Sequence, residues 1–222
     1  MPARSRVMIV DDHPIFRKGL GHLINEESDM EVCAEAEDVP EAKRNLAAHK
    51  PDMVIVDLSL KGASGLELIR YIHDISPGLP VLVISMHDET VYAERALKAG
   101  ARGYIMKQEM TGKVVKAIRQ VLHGKMFFSE DIVEGILGRV ATDSRAIPKD
   151  PVSTLSDREL EVFTLIGKGT GRKEMASMLN VSIKTIGSYR EKIKEKLGIR
   201  SSPELARRAV EWVQSQGGGM DG

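Results

Sequence analysis

Within residues 1–123, short β-rich runs alternate with stretches of helical period, and this alternation restricts the fold more than any other feature. The runs lie at 6–10, 31–36, 53–57, 81–85 and 103–106; the amphipathic stretches lie at 14–27, 40–49, 65–75, 89–99 and 112–123. Val54-Ile55-Val56 and Val81-Leu82-Val83-Ile84 are apolar at every position, as strands buried on both faces of a parallel sheet must be. A βα unit repeated five times predicts an α/β fold, a five-stranded doubly wound parallel sheet. Such sheets collect polar site residues at the carboxyl ends of their central strands. The residues at those ends here are Asp11, Asp12, Asp57, Ser85 and Lys107.

Three carboxylates converging on one edge repel each other, so burying them without compensation is costly. Mg²⁺ answers the problem, because it takes oxygen ligands, keeps waters and accepts one or two carboxylates plus a phosphate. Lys107 adds a second positive charge. A metal and an ammonium keep every carboxylate ionised, which disfavours a hydrolytic acid/base pair. The same environment suits a carboxylate nucleophile attacking a phosphoryl group. Asp57, after the most apolar strand, is the candidate; Lys107 neutralises the transferring oxygens and Ser85 donates to one of them. Singly, each of these residues also has an ordinary reading, Asp11 or Asp12 as a helix cap before Pro14 for example. The joint pattern selects the phosphoryl chemistry.

The rest of the chain reads differently. A helix is expected at 129–140, then a linker at 141–153 with two prolines and no period. Ser156-Asp157-Arg158-Glu159 is a capping box opening a helix that ends at Gly167. A short helix covers 173–179, a third runs from the cap Ser182 to Leu197 and stops at Gly198, and Ser202-Pro203 opens a fourth. On a helical wheel Ile186, Ile193 and Leu197 form a core stripe flanked by Tyr189 and Arg190. Lys184, Ser188, Glu191 and Glu195 lie opposite, with Gly187 and Lys192 at the margins. A helix with an exposed N-terminal half can enter a major groove, and nearby lysines can hold phosphates.

Charge agrees with two functions. The 32 basic and 32 acidic residues cancel, yet residues 1–150 hold 20 against 23 and residues 151–222 hold 12 against 9. The resulting −3 and +3 exclude a chain that is basic throughout and suggest a different partner for each part. Cys33 is the sole cysteine, so no disulfide, cysteine zinc site or CxxC pair forms within one chain. The apolar run before Asp11 is only four residues, Val7 to Val10, and no run approaches the ~20 of a membrane span. A cytoplasmic protein without membrane association is expected. The six histidines (13, 22, 49, 73, 87 and 123) show no metal-ligand spacing and read as structural or surface residues. The glycine-rich stretch 167–173 lacks P-loop spacing.

As a set, Val7-Met8-Ile9-Val10-Asp11-Asp12-His13, Pro51-Asp52-Met53-Val54-Ile55-Val56-Asp57-Leu58, Gly65, Ser85, Ala99-Gly100-Ala101-Arg102-Gly103-Tyr104 and Lys107 resemble the receiver domain of two-component response regulators, a flavodoxin-like fold. The resemblance implies that Asp57 accepts a phosphoryl group from a sensor histidine kinase. It implies Mg²⁺ at Asp11, Asp12, Asp57 and the carbonyl of Ser59, with Ser85 and Tyr104 as a switch pair and Lys107 on the phosphate. Tyr104 is then expected to turn inward once Ser85 has moved toward the phosphoryl group. Lys61 and Gln108 depart from prolines common in the family and change loop stiffness rather than charge.

Leu155 to Val162, Gly169, Lys173-Glu174-Met175-Ala176, Leu179-Asn180-Val181-Ser182, Lys184-Thr185-Ile186 and Lys196-Leu197-Gly198-Ile199 resemble the LuxR-type helix-turn-helix. Receiver plus helix-turn-helix resembles the NarL/FixJ class of transcriptional regulators. The organisation this implies is a receiver at 1–124, a partly helical linker at 125–153, a DNA-binding domain at 154–216 and a flexible tail at 217–222. The DNA contacts carried over are Lys173, Lys184, Thr185, Gly187, Ser188, Glu191 and Lys192. Gly187-Ser188-Tyr189 stands where Lys-x-His is common, and Lys192 where Asn is common.

The implied partners are the kinase, double-stranded DNA, a second copy after phosphorylation and RNA polymerase. Dimerisation is expected through the fourth helix, by Leu205, Ala209, Trp212 and Val213. Beyond its own phosphorylation the receiver implies no turnover enzyme. A haloacid dehalogenase-type phosphatase wants a second Asp two residues after Asp57, where Ser59 stands. The alternative function is a signalling adaptor whose degenerate helix-turn-helix works through protein contacts, motivated by Gly187, Glu191 and Glu195.

Overall fold

The computed structural model describes residues 4–110, 112–130, 132–135 and 151–217. They fall into two compact units divided after residue 142. The first begins with β1 (Ser5–Val10), α1 (Pro14–Asn25), β2 (Met30–Ala36), α2 (Val39–His49) and β3 (Met53–Val56). A small antiparallel hairpin, β4 (Ser59–Leu60) and β5 (Ala63–Ser64), leads to α3 (Gly65–Ile75). Then come β6 (Val81–Ser85), α4 (Glu89–Ala99), β7 (Gly103–Met106), a 3-10 turn at Lys107–Glu109 and α5 (Val114–Leu122). The main sheet is parallel with order β2-β1-β3-β6-β7. The expected five-stranded doubly wound fold is what forms.

Alternation along the strands explains the two layers. Val7, Ile9, Met53, Ile55, Leu82, Ile84 and Ile105 form one core with Leu20 and Ile24 of α1 and Ala117, Ile118 and Val121 of α5. Their neighbours Met8, Val10, Val54, Val56 and Val83 are equally buried. With a side-chain period of two they face the opposite layer, where Ala42, Leu46, Leu68, Ile72, Ala93 and Ala96 supply the helical stripes. Helix starts follow local chemistry: Asp38, Ser64 and Asp88 cap α2, α3 and α4 through their side chains. Neither Asp11 nor Asp12 caps α1, since that helix starts after His13 without a side-chain cap.

Several expectations need adjustment. The hairpin at 59–64 was not expected: Leu60 is buried and Gly62 turns the chain at φ +76°, yet two-residue strands leave no periodicity to read. The helix expected at 112–123 spans Val114–Leu122, because Gly112 sits at φ +81° outside it. Of the helix expected at 129–140, residue 130 and residues 132–135 are helical; 136–140 lie outside the described residues, as does most of the expected linker. Its last residues are not irregular: Pro151–Thr154 form a 3-10 turn with Val152 buried.

The second unit is helical: α6 (Asp157–Gly167), α7 (Arg172–Met178), α8 (Ile183–Leu197) and α9 (Ser202–Gly217). The predicted capping box is present, with Ser156 and Glu159 satisfying each other's backbone amides. Lys196 adds a 2.6 Å ion pair to Glu159. Gly167 lets α9 approach α6, since a Cβ there would collide with the carbonyl of Ala209. This crossing corrects part of the expected use of α9: Leu205 and Ala209 are fully buried within the chain and serve the core of their own unit, whereas Trp212, which stacks at 5.7 Å on Phe163 of α6, and Val213 are only partly covered. The expected tail beyond residue 217 lies outside the described residues.

Candidate functional site

Strand register assembles the acidic pocket. Val10 pairs with Val56, so the next residues, Asp11 and Asp57, leave adjacent strands side by side. The Asp57 amide donates to Val10 and the Asp11 amide to Ala36, extending the ladder one step beyond the strands. Lys107 follows β7 and reaches back: its Nζ lies 2.6 Å from Asp57 Oδ2 and 2.7 Å from Asp11 Oδ2. It also sits 4.2 Å from the centroid of the Phe16 ring, a cation–π contact. The side chains of Asp11, Asp57 and Lys107 are 3%, 2% and 6% exposed, so their charges interact in a medium far less screening than water.

The titration directions follow. Burial raises the Asp11 carboxyl above its ordinary value, and the Asp57 charge pushes the same way against Lys107. Burial pulls the Lys107 ammonium down, but Asp57 and then Asp11 outweigh it and its pKa rises. Lys107 therefore stays charged and holds two like charges together.

Around this core the donors are ordered. The Ser59 amide donates to Asp57 Oδ1 at 3.2 Å and the His13 amide to Asp11 Oδ1 at 2.8 Å. Single donor atoms of Asp11, Asp12, His13 and Asp57 all lie within 4.8 Å of one another. The carboxylate oxygens of that set match what a hard divalent cation takes. Gly65 matters for a different reason: its amide bonds Leu58, and any Cβ would strike the Asp57 carbonyl.

Two histidines read as structural or surface residues belong here. His13 Nδ1 is 2.8 Å from Asp12 Oδ1 and 3.3 Å from Asp11 Oδ1. His87 Nε2 is 2.8 Å from Ser59 Oγ, joining the start of β4 to the loop after β6. Neither has helical ligand spacing to betray it; what was readable is that each lies within two residues of a strand-end site residue.

Ser85 is fully buried and accepts the His87 amide at 3.3 Å. Tyr104 is also buried, and its hydroxyl donates to the His87 carbonyl at 2.9 Å. Burial, then Tyr92 and Asp57, holds its phenol well above the usual range. The inward position expected only after a switch is the one Tyr104 occupies, because the backbone at His87 offers it an acceptor.

In the second unit, Asn180 at φ +50° turns the chain between α7 and α8. Ala176 is buried, and its carbonyl takes the Val181 amide. Ile186 and Ile193 of α8 are fully buried, as the wheel required. Lys184, Ser188, Glu191, Lys192 and Glu195 are exposed, as is Lys173 on α7. Thr185 and Gly187 are partly covered. Thr185 Oγ1 lies 2.8 Å from Ser182 Oγ at the cap, and Glu191 pairs with Lys194 at 2.8 Å. A Cβ on Gly187 would meet nothing within 4 Å, so that face is open. Arg190 was placed only as a flank of the core; burial and then Arg172 lower its pKa, making it a partly desolvated cation on the same helix.

Known proteins agree with both units. Residues 7–119 match the model of the response regulator receiver domain, and residues 153–209 that of the bacterial regulatory proteins of the luxR family. The chain belongs to the NarL/FixJ class of response regulators. It is similar to the oxygen regulatory protein NreC of Staphylococcus epidermidis strain RP62A, 36% identical over 92% of this chain and 96% of that one. Among solved structures it resembles a LuxR-family two-component response regulator from Aurantimonas sp. SI85-9A1, at 37% identity and TM-score 0.57 over 63% of this chain and 99% of that one. It also resembles RcsB of Salmonella enterica serovar Typhimurium bound to promoter rprA in the presence of phosphomimetic BeF3-, at 27% identity and TM-score 0.59 over 94% and 99%. This response regulator is a phosphorylation-dependent transcriptional regulator, partnered by a sensor kinase and by DNA. Nothing in these relatives favours the adaptor alternative. No helix among the described residues is long and apolar enough to cross a membrane.

Proposed function

We propose that Asp57 is the phosphoacceptor of this response regulator. The carrying observation is the pair of contacts that fix Asp57 at once: Lys107 on Oδ2 and the Ser59 amide on Oδ1. An Asp57 carboxylate oxygen attacks the phosphorus of a kinase phosphohistidine; the O–P bond forms, the P–N bond breaks, and the imidazole leaves with the electron pair and takes up a proton. Lys107 orients the carboxylate before transfer and balances phosphoryl charge afterwards. Asp11, Asp12, Asp57 and the Ser59 carbonyl would hold Mg²⁺, which supplies charge neutralisation on the phosphoryl oxygens when bound. No external substrate is turned over.

Phosphorylation adds negative charge and acceptor oxygens beside Ser85, whose hydroxyl now takes the His87 amide. Drawing that hydroxyl away frees the His87 backbone that holds Tyr104, and so reaches α4. In the second unit α8 is the recognition helix, with Lys184, Gly187, Ser188, Glu191 and Lys192 toward the groove and Thr185 and Lys173 at its entrance. RcsB, a similar protein, has been solved bound to a promoter, which supports DNA as the ligand of this unit. The active form is a cytoplasmic homodimer that acts on RNA polymerase at promoters, with unit boundaries at 1–124 and 154–216.

Intact mass after incubation with acetyl phosphate and Mg²⁺ tests the acceptor. The wild type is expected to gain one phosphoryl mass and Asp57→Ala none; equal gain in both rejects it.

A further inference from the structure

The chain leaving α5 does not depart from the receiver unit. After Gly124, at φ +78°, it doubles back along the outer edge of β7. Phe127 donates to Arg102 at 2.9 Å and accepts from the Tyr104 amide at 2.8 Å, in a parallel bridge to Gly103. Gly103 makes room, since a Cβ there would press on the Phe127 carbonyl and the Leu82 side chain. The Phe127 ring packs on the main core. Two residues later the Ser129 amide donates to Glu89 Oε1 at 3.0 Å, in the first turn of α4. The Glu89 carboxylate is half-buried, and burial raises its pKa. Segment 126–129 is thus tied both to the backbone of Tyr104 and to the start of α4, the two elements that meet at His87.

We propose that segment 126–129 is a latch, held by Glu89 and by the edge of β7, through which the state of the phosphoacceptor pocket reaches the C-terminal unit. The inference rests on the function proposed above and extends it to residues beyond the matched receiver region. Movement of α4 or Tyr104 pulls the acceptor or the donor away, so the segment detaches. Among the described residues, the last tie of the chain to the receiver sheet then lies near Gly124 rather than at Ser129. Edge pairing suits such a release, because a short edge bridge, one packed ring and one carboxylate tie the segment rather than a continuous strand.

Amide exchange and DNA binding on the full chain test the latch, with Glu89→Ala and Glu89→Gln. Alanine removes the acceptor; glutamine keeps a neutral oxygen in its place. Without phosphodonor the Ser129 amide is expected to exchange about tenfold faster in Glu89→Ala than in wild type, the equivalent of about 1.4 kcal/mol, and to stay near wild type in Glu89→Gln. With acetyl phosphate and Mg²⁺ the wild-type Ser129 and Tyr104 amides rise toward the Glu89→Ala rates. On a duplex selected from a random pool by the phosphorylated wild type, Glu89→Ala binds without phosphodonor nearly as tightly as with it, at an unchanged rate of Asp57 modification. If Asp57 is modified and these amides do not respond, or Glu89→Ala keeps the full wild-type gain in DNA binding, the latch is wrong while the phosphoacceptor stands. If Asp57 is never modified, the phosphoacceptor falls, and equal Ser129 exchange in wild type and Glu89→Ala still overturns the latch.

Discussion

The acidic pocket and the recognition helix both carry charge, but they hold it in opposite ways. Asp11, Asp57 and Lys107 are almost wholly buried, with Lys107 bonded to both carboxylates at 2.6–2.7 Å. Lys184, Glu191 and Lys192 stand in solvent, and Glu191 spends its charge on its neighbour Lys194. Buried charges must be compensated, so their partners and their chemistry can be deduced from one another. Exposed charges are screened and satisfied by water. They state that a helix is polar on one face and little about which bases it reads. The same contrast separates the two halves of the function: the receiver declares its reaction, whereas the operator is unwritten.

The largest expected effect breaks the buried side of this contrast. Lys107→Ala leaves two buried carboxylates facing each other, and urea unfolding without Mg²⁺ is expected to show a loss of about 3–5 kcal/mol. A loss below about 1 kcal/mol, the size of an exposed pair, would erase the distinction. Next is Gly65→Ala, which forces a methyl into the Asp57 carbonyl. It is expected to cost about 1–3 kcal/mol and to slow Asp57 modification measured by intact mass, although no charged group is altered. On the exposed side, Lys184→Ala should weaken DNA binding on all sequences alike and lower the salt slope by about 1. A change confined to one operator position would make Lys184 a base reader.

The smallest effect concerns Asp29, whose carboxyl Arg119 holds down to about 2 by a hydrogen bond. A folded pKa below the unfolded value, about 3.9, contributes stability above the unfolded pKa that is lost as pH falls through about 2. Both side chains are 41–49% exposed, so screening keeps the contribution under about 1 kcal/mol. Acid titration of unfolding should show that loss in wild type between about pH 4 and pH 2 and not in Arg119→Ala.

How much was legible depends on periodicity. The five strands were readable because residues such as Val54, Ile55 and Val56 face buried layers on both sides, and their ends pointed straight to Asp11, Asp57 and Lys107. The hairpin at 59–64 and the return of Phe127 to the edge of β7 are single turns and bridges, without a period. His87 was missed because its role uses backbone groups and one ring nitrogen, which residue identity does not announce. The fate of Leu205 and Ala209 was misread because an apolar stripe on a helix has no label for which surface it covers. Gly167 was the missing clue: a glycine ending α6 marks where another helix can approach closely.

If modification of one buried carboxylate controls what the distal helices bind, the affinity of wild type and Asp57→Ala for one selected duplex at fixed salt, each with and without acetyl phosphate and Mg²⁺, must differ in its response to the donor. Tighter binding on adding donor is expected for the wild type and no response for Asp57→Ala. An equal response in both, or none in a wild type shown by mass to be phosphorylated, would contradict it.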